Sequence, residues 1–191
     1  MQIEKKYYTV QDSETLKLMY QHIQESEVIA VDTETTSLNM RKGKIVGWSI
    51  SGAEGVGFYI PTLVWNFENN SLEPQFIGDT SAEVISKNLL KMLKGKKLVM
   101  HNASFDCRFI KNYYGVDLLE DLWVETLLLV HTVQEEGAGM GVFGLKPLAI
   151  SVQEHIGLDV EKAANEEQIE LKDSIKSNGG EVTKTNFEIY K

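Results

Sequence analysis

The chain has one cysteine, three prolines and no long uncharged apolar run among its 191 residues. Its single cysteine, Cys107, cannot form an internal disulfide, and it lacks the Cys and His neighbours that a zinc site needs. The opening MQIEKKYYTV is charged, and no later apolar run approaches the length of a membrane span. We therefore expect a reducing, cytoplasmic setting without membrane contact.

Basic residues are also in short supply. The chain has 19 Lys and Arg against 28 Asp and Glu, a formal net charge of −9. This balance argues against a protein that coats duplex DNA, because such proteins neutralise phosphates with basic side chains. The negative charge does not exclude a nuclease, since an acidic site can bind two divalent cations and these cations can bind the phosphodiester.

Strand-like and helical segments alternate along the chain, which predicts an α/β domain. The strands are predicted at residues 7–10, 28–31, 44–51, 56–60 and 98–100, and the helices after Asp12 or Ser13, over 81–93 behind a capping box of Thr80 and Glu83, and over 103–113 and 145–152. Residues 126–133 fit either a core helix or a buried strand. The three-strand meander over residues 28–60 predicts a mixed sheet in a single domain covering residues 1–191, with a mobile excursion over the charged residues 160–186.

The segment VIAVDTETTSLN contains two candidate catalytic residues close together, because Asp32 and Glu34 both lie at the end of an apolar strand. Side chains at positions i and i+2 of a strand share one face. Two carboxylates on one face repel each other unless a cation lies between them, and oxygen ligands of this kind suit magnesium or manganese. A solvated acidic strand end is the simpler alternative, because Asp-x-Glu is common by chance.

A second acidic position follows in LVMHNASFD, where a strand leads through His101 and Asn102 into a helix that carries Asp106. Sites in open α/β sheets form where strands pass into helices, which favours a functional Asp106. A carboxylate in the first turn of a helix is also favourable simply because of the helix dipole. The residues alone leave both interpretations open.

Taken in order, VDTETTSLN, HNASFD and GLKPLA resemble the 3′-5′ exonuclease (proofreading) domain of family A DNA polymerases. KIVGWSIS and YIP in the meander, and NGGEVTKTNFEIYK at the end, are also similar to that family, the last to its phage members. The resemblance implies a ribonuclease H-like fold with a mixed five-stranded sheet flanked by helices. It also implies removal of nucleotides from single-stranded or frayed 3′ ends of DNA, beside a polymerase domain in the same chain or in a separate subunit.

The resemblance assigns roles to particular residues. It implies that Asp32, Glu34 and Asp106 are catalytic and bind two divalent cations, Mg²⁺ or Mn²⁺. The substrate-binding positions that it implies are Thr35, Leu38, Asn102 and Phe105, of which Phe105 would stack on a base without regard to sequence. Simple packing is an equal alternative for Leu38.

The family's third motif, Tyr-x-x-x-Asp, has no clear counterpart before Lys191. Two pairs have similar spacing, Tyr113 with Asp117 and His155 with Asp159, but each is interrupted by a glycine. We expect that the chain ends before this motif, which places the activity of the isolated 191 residues in doubt.

Three rival functions remain. Residues 139–144, GMGVFG, match the dinucleotide-binding pattern, but the stretch before them looks helical rather than strand-like. A related exoribonuclease would share the fold and the carboxylates. A catalytically incomplete structural module of a polymerase would lack the third motif.

Overall fold

The computed structural model describes residues 5–66, 68–133, 144–145, 147–150 and 173. The chain divides into two compact units, a larger one of residues 3–64 and 72–136 and a smaller one of residues 1–2, 65–71 and 137–191. The main sheet and the helices given below all belong to the larger unit. Of the smaller unit the structure describes mainly residues 65–66, 68–71 and a helical stretch that includes residues 147–150.

The strands of the described chain run in sequence order as β1 Lys6–Thr9, β2 Val28–Thr35, β3 Ile45–Ala53, β4 Val56–Pro61, β5 Leu63–Asn66, β6 Ser71–Pro74, β7 Phe76–Ile77, β8 Thr80–Ser81, β9 Lys97–Met100 and β10 Leu122–Glu125. Within the described residues, six of them form one sheet in the order β1-β4-β3-β2-β9-β10. The remaining four form two short pairs, β5 with β6 and β7 with β8.

The main sheet is mixed, as the sequence predicted. Strands β2, β3 and β4 form an antiparallel meander, whereas β1 pairs with β4, and β9 pairs with both β2 and β10, in parallel. The predicted count of five strands was wrong, because β10 adds a sixth. This strand is only four residues long, its register shifts between Leu122 and Val124, and its Trp123 is exposed, so it carries no clear alternation of apolar residues.

The helices are α1 Ser13–Glu25, α2 Ala82–Leu93, α3 Ala103–Tyr114 and α4 Thr126–Val133. Asp12 caps α1 as predicted, by accepting a hydrogen bond from the backbone of Thr15. The capping box that begins at Thr80 was wrong by one residue, because Thr80 belongs to β8 and the Ser81 side chain caps α2 instead. The apolar stretch at residues 126–133 is a helix, the first of its two predicted alternatives.

One face of the main sheet carries the core. Residues Ile29 and Val31 of β2 and Trp48 of β3 are almost completely buried there, together with Phe109 of α3. The indole Nε1 of Trp48 donates a hydrogen bond of 3.0 Å to Ser86 Oγ on α2, so this polar group remains satisfied in the core.

Several predictions fall outside the described residues: the excursion at 160–186 except Asp173, the pair His155 and Asp159, and the glycine pattern at 139–144 except Gly144. The predicted helix at 145–152 is confirmed for residues 145 and 147–150, and its end lies outside the described part. None of the helices in the described ranges is long and apolar enough to cross a membrane.

We predict that Trp48→Phe lowers the free energy of unfolding by about 2–4 kcal/mol, because it leaves a cavity and removes the hydrogen bond to Ser86. Urea unfolding measures this loss. The matched control is Trp123→Phe, at a tryptophan whose exposed fraction is 58%. The control should change stability by less than about 1 kcal/mol, and equal losses in the two variants would contradict the placement of Trp48 in the core.

Candidate active site

The candidate site lies at one edge of the main sheet, where three parallel strands end. Because β2, β9 and β10 run parallel, their C-terminal ends meet at this edge. The polar residues found there are Asp32 and Glu34 near the end of β2, His101 and Asn102 directly after β9, and Glu125 as the last residue of β10. Ligand sites of open α/β sheets form at such edges.

Asp32 and Glu34 share one face of β2, since side chains alternate along a strand. Burial raises the pKa of Asp32, although the backbone N–H of Thr33 and the charge of His101 lower it in part. The residue Glu34 is exposed as a whole, but loss of hydration at its carboxyl group raises its pKa, and the charge of Asp32 raises it further. The two carboxylates therefore destabilise each other's charged form.

Asp106 is held against the same strand from the other side. It lies in the first turn of α3 with an exposed fraction of 2%. Its Oδ1 accepts hydrogen bonds from the backbone N–H of Thr33 at 3.0 Å and from the Thr33 hydroxyl. The pairing of β2 with β9 ends at Ala30, so Asp106 supplies the acceptor that β9 no longer offers to Thr33.

Burial also changes the acidity of Asp106. It raises the pKa of this carboxyl group to about 6, and the nearby charge of Asp32 adds to the increase. The hydrogen bonds from Thr33 act in the opposite direction, because they stabilise the ionised form. Glu34 and Asp106 thus both lie within electrostatic reach of Asp32, and the charged form of each of these three carboxyl groups is disfavoured.

This donor set fits a divalent cation in part. Asp32 and Glu34 present oxygen ligands on one face, and a cation would relieve the repulsion that raises the pKa of Glu34. However, the described residues contain no group of three or more His, Cys, Asp or Glu side chains placed to hold one ion. The pair is therefore the core of any cation site here, while Asp106 remains bonded to Thr33.

The turn between β9 and α3 is fixed by Glu125. Asn102 occupies the N-cap position of α3 in a left-handed conformation, with φ of 58°, and its side chain makes no capping hydrogen bond. Glu125 Oε1 instead accepts from the backbone N–H of Ala103 at 3.2 Å, and Oε2 accepts from that of Leu128 in α4. One carboxylate thereby caps two helices, and the exposed Asn102 side chain is not used for capping.

His101 is oriented by a second hydrogen-bond chain. Its Nδ1 lies 2.9 Å from Thr126 Oγ1, whose hydroxyl donates to the carbonyl oxygen of Met100 at 3.3 Å. Thr126 Oγ1 therefore links the imidazole ring to the backbone at the end of β9. The ring is thus held at the same edge as Asp32, with which it interacts electrostatically.

A family model described as 3′-5′ exonuclease matches residues 7–174, nearly the whole chain. The chain belongs to this family. The resemblance seen in the sequence motifs is therefore confirmed, and with it the assignment of the chain as a hydrolase-type domain that acts on phosphodiester bonds of nucleic acids.

One protein of similar sequence and two solved structures of similar fold can be compared with this exonuclease chain. It is 31% identical over 127 residues to the DNA polymerase of Escherichia phage T5, a match that covers 64% of this chain but only 13% of that polymerase. Its fold is similar to that of Trypanosoma brucei RNase D in complex with RNA U12, with a TM-score of 0.51, 16% identity, and coverage of 78% of this chain and 47% of that one. Its fold is also similar to that of the POL domain of Pol1 from M. smegmatis in complex with DNA primer-template and dNTP, with a TM-score of 0.51 and 17% identity. That match covers 78% of this chain and 23% of the other.

The predicted substrate-binding residues of the exonuclease lie in different environments. Leu38 has an exposed fraction of 86%, so simple packing does not account for it within the described residues. Phe105 is partly buried, and its ring packs against that of Phe109 with centroids 4.9 Å apart. The Thr35 hydroxyl donates to the carbonyl oxygen of Ser37 at 3.1 Å, which shapes the chain that leads to Leu38.

The look-alike pair Tyr113 and Asp117 lies away from this edge. Asp117 accepts a hydrogen bond of 2.7 Å from Lys111, and its carbonyl oxygen accepts one of 2.9 Å from Lys94, which precedes β9. The N-terminal end of β9 is the opposite end of the sheet from Asp32. In the described residues Asp117 is therefore part of a surface cluster with Lys94 and Lys111, and it lies outside the candidate site.

The sequence analysis missed the anchoring role of Thr33 and the double cap formed by Glu125. Thr33 lies between the two predicted acids but on the opposite face of β2, where it bonds to a residue 73 positions later. Glu125 directly precedes the apolar stretch at residues 126–133, and an acidic residue just before a helix was the available signal for a cap.

Asp106 should make the stability of the metal-free protein depend on pH. Burial raises the pKa of its carboxyl group to about 6 in the folded protein, whereas the pKa is near 4 in the unfolded chain. The folded state binds more protons between these values, so stability falls as the pH rises through this window. The free energy of unfolding of Asp106→Asn, relative to that of wild type, should therefore rise by up to about 3 kcal/mol between pH 4 and pH 7. Urea unfolding in the presence of a chelator measures this difference.

The matched control for this experiment is Asp117→Asn. The hydrogen bond from Lys111 lowers the pKa of Asp117, so removing its charge should bring no gain as the pH rises. A difference between Asp106→Asn and wild type that stays constant from pH 4 to pH 7 would show that burial does not hold the proton on Asp106.

We predict that Glu125→Gln destabilises the protein by about 1–2 kcal/mol, because an amide can accept only one of the two backbone hydrogen bonds. Chemical unfolding at pH 7 gives the value. Glu120→Gln, at an exposed glutamate in the turn just before β10, is the control and should change stability by less than about 0.5 kcal/mol. Equal effects of the two substitutions would contradict the double cap.

Proposed function

We propose that this exonuclease removes nucleotides from the 3′ end of single-stranded or frayed DNA, as the proofreading unit of a DNA polymerase. The observation that carries the proposal is the pair Asp32 and Glu34 on one face of β2, with Asp106 fastened to the residue between them. A strand that presents two carboxylates and a helix that adds a third suit hydrolysis of a phosphodiester bond. The work would take place in the cytoplasm, which is that of the host if a phage encodes the chain.

The residues divide the task between them. Asp32 and Glu34 would hold divalent cations, with Asp106 as the third carboxylate. When bound, two Mg²⁺ or Mn²⁺ ions supply activation of the attacking water and stabilisation of the charge that develops on the phosphate and the leaving 3′ oxygen. Four further residues would hold the terminal nucleotides. Asn102 lies in the turn after β9 and Phe105 in the first turn of α3, while Thr35 is the last residue of β2 and Leu38 follows that strand.

DNA is the favoured substrate because the curated relative at 31% identity is a DNA polymerase. That relative also favours a polymerase domain as the partner, in the same chain or as a separate subunit. RNA remains the second candidate, because the fold is shared with an RNase D bound to RNA. A stacking residue such as Phe105 accepts either nucleic acid, since each base offers an aromatic face.

The test is single-turnover digestion of matched DNA and RNA strands that carry a label at the 5′ end, with Mn²⁺. We expect a ladder that shortens one nucleotide at a time from the 3′ end of the DNA, with slower digestion of the RNA. Asp32→Ala should reduce the rate at least about a hundredfold, because it removes a cation ligand worth several kcal/mol of transition-state stabilisation.

Glu54→Ala provides the matched control. It removes a carboxylate of the same charge from the exposed turn at the far end of β3, and the rate should stay within about twofold of wild type. Digestion of RNA but not DNA would establish the exoribonuclease instead. Digestion of neither would leave a polymerase module without activity of its own and would overturn the proposal for this chain.

A further inference from the structure

Tyr59 lies on the same face of the main sheet as the two carboxylates. The antiparallel register pairs Asp32 of β2 with Ser49 of β3, and Ser49 with Tyr59 of β4. Side chains of directly paired residues project from the same face of a sheet. A single row across three strands therefore contains Asp32, Ser49 and Tyr59.

The ring of Tyr59 then turns toward the neighbouring row, in which Glu34 pairs with Gly47. A Cβ atom built on Gly47 would lie 2.3 Å from the Tyr59 hydroxyl oxygen and 2.6 Å from Cε2 and Cζ of its ring. The end of the ring thus occupies the space in which a side chain at position 47 would begin. Only glycine admits this arrangement.

This placement puts the hydroxyl group in the row of Glu34, one strand spacing away, without a direct hydrogen bond between the two side chains. Directly paired positions of antiparallel strands have Cβ atoms about 4.5–5.5 Å apart, and a glutamate side chain extends a few ångströms beyond its Cβ. The Tyr59 hydroxyl lies near the Cβ position of residue 47, directly across from Glu34. A phenol is a hydrogen-bond donor and a carboxylate is an acceptor, so the two groups are complementary.

We propose that Tyr59 is a positioning residue whose hydroxyl group donates a hydrogen bond to the Glu34 carboxylate once a cation is bound, and so holds it in its cation-binding orientation. This inference rests on the proposed function of Glu34 and adds a residue to it. Carboxylates that bind metal ions are themselves hydrogen-bonded, and loss of such a partner costs about 10–100-fold in metal affinity or activity. Tyr59 acts through Glu34 and need not touch the substrate.

Tyr7 provides an internal control for this geometry. It lies on the same face of the sheet, in the edge strand β1, and is paired with Gly57. A Cβ atom on Gly57 would lie 3.2 Å from Cδ1 of Tyr7, so this ring also rests on a glycine. However, β1 is separated from β2 by β4 and β3. With about 4.8 Å between neighbouring strands, the Tyr7 position is about 14 Å from β2.

The first experiment is a double-mutant cycle with Tyr59→Phe and Glu34→Ala, measured by urea unfolding at saturating Mn²⁺. The coupling between the two substitutions should be about tenfold in the unfolding equilibrium constant, as for a hydrogen bond to a charged acceptor. The same cycle with Tyr7→Phe should show no coupling. Absence of coupling for Tyr59 would overturn the proposal, while the effect of Asp32→Ala on digestion would stand unchanged.

The second experiment measures Mn²⁺ affinity by electron paramagnetic resonance without nucleic acid. Tyr59→Phe should weaken binding about tenfold, Tyr7→Phe should leave it unchanged, and Tyr59→Phe should have no effect in the Glu34→Ala background. Equal affinity in Tyr59→Phe and wild type, or a wild-type chain that binds no Mn²⁺, would overturn the positioning role. Coupling and Mn²⁺ binding without digestion of DNA or RNA would support Tyr59 and refute the proposed function.

Discussion

The candidate site depends on the bond between Thr33 and Asp106. Strand β2 continues past the last residue that β9 pairs with, which leaves the backbone N–H of Thr33 without a partner strand on that side. Asp106 fills this position with a carboxylate oxygen and thereby joins two segments that are 73 residues apart. A buried carboxylate is unfavourable, and these hydrogen bonds offset part of that cost. The first turn of α3 is consequently fixed relative to the strand that carries Asp32 and Glu34.

The pKa values of the three acids show that their charged forms are unfavourable at this edge of the sheet. Burial raises the pKa of Asp32, Glu34 and Asp106, and the charge of Asp32 raises those of the other two. Local structure opposes this repulsion, since Glu125 holds the N-terminal ends of α3 and α4 and the turn at Asn102 keeps its unusual conformation. Groups that lower the stability of the fold but are held in place by the surrounding structure are typical of functional sites. The rest of the fold therefore stabilises an arrangement that these three acids alone would disfavour.

The sequence predicted those features that depend on neighbouring residues. A β-branched run and two strand-like segments located the meander over residues 28–60, helical spacing located α3, and the motifs located the three acids. What it could not supply were features set by tertiary pairing. The strand at Leu122–Glu125 is too short and irregular to show a period, and it forms because β9 offers it an edge. The contact between Thr33 and Asp106 and the position of the Tyr59 ring over Gly47, the partner of Glu34, depend on the strand register, which no local pattern determines.

Strand register also explains how β2 combines two tasks. Its odd-numbered positions, Ile29, Val31 and Thr33, are buried against the helices, while the even-numbered positions from Ala30 to Glu34 face the other side. A shift of one residue would place Asp32 and Glu34 in the core and bring apolar side chains to the site. Two contacts oppose such a shift. On the β3 side, Thr33 is paired with Trp48, whose indole is hydrogen-bonded to Ser86. On the other side, Asp106 accepts a hydrogen bond from the backbone N–H of Thr33. The position of the carboxylates is thus set from the buried face, because Thr33, the residue between them, holds the strand in place.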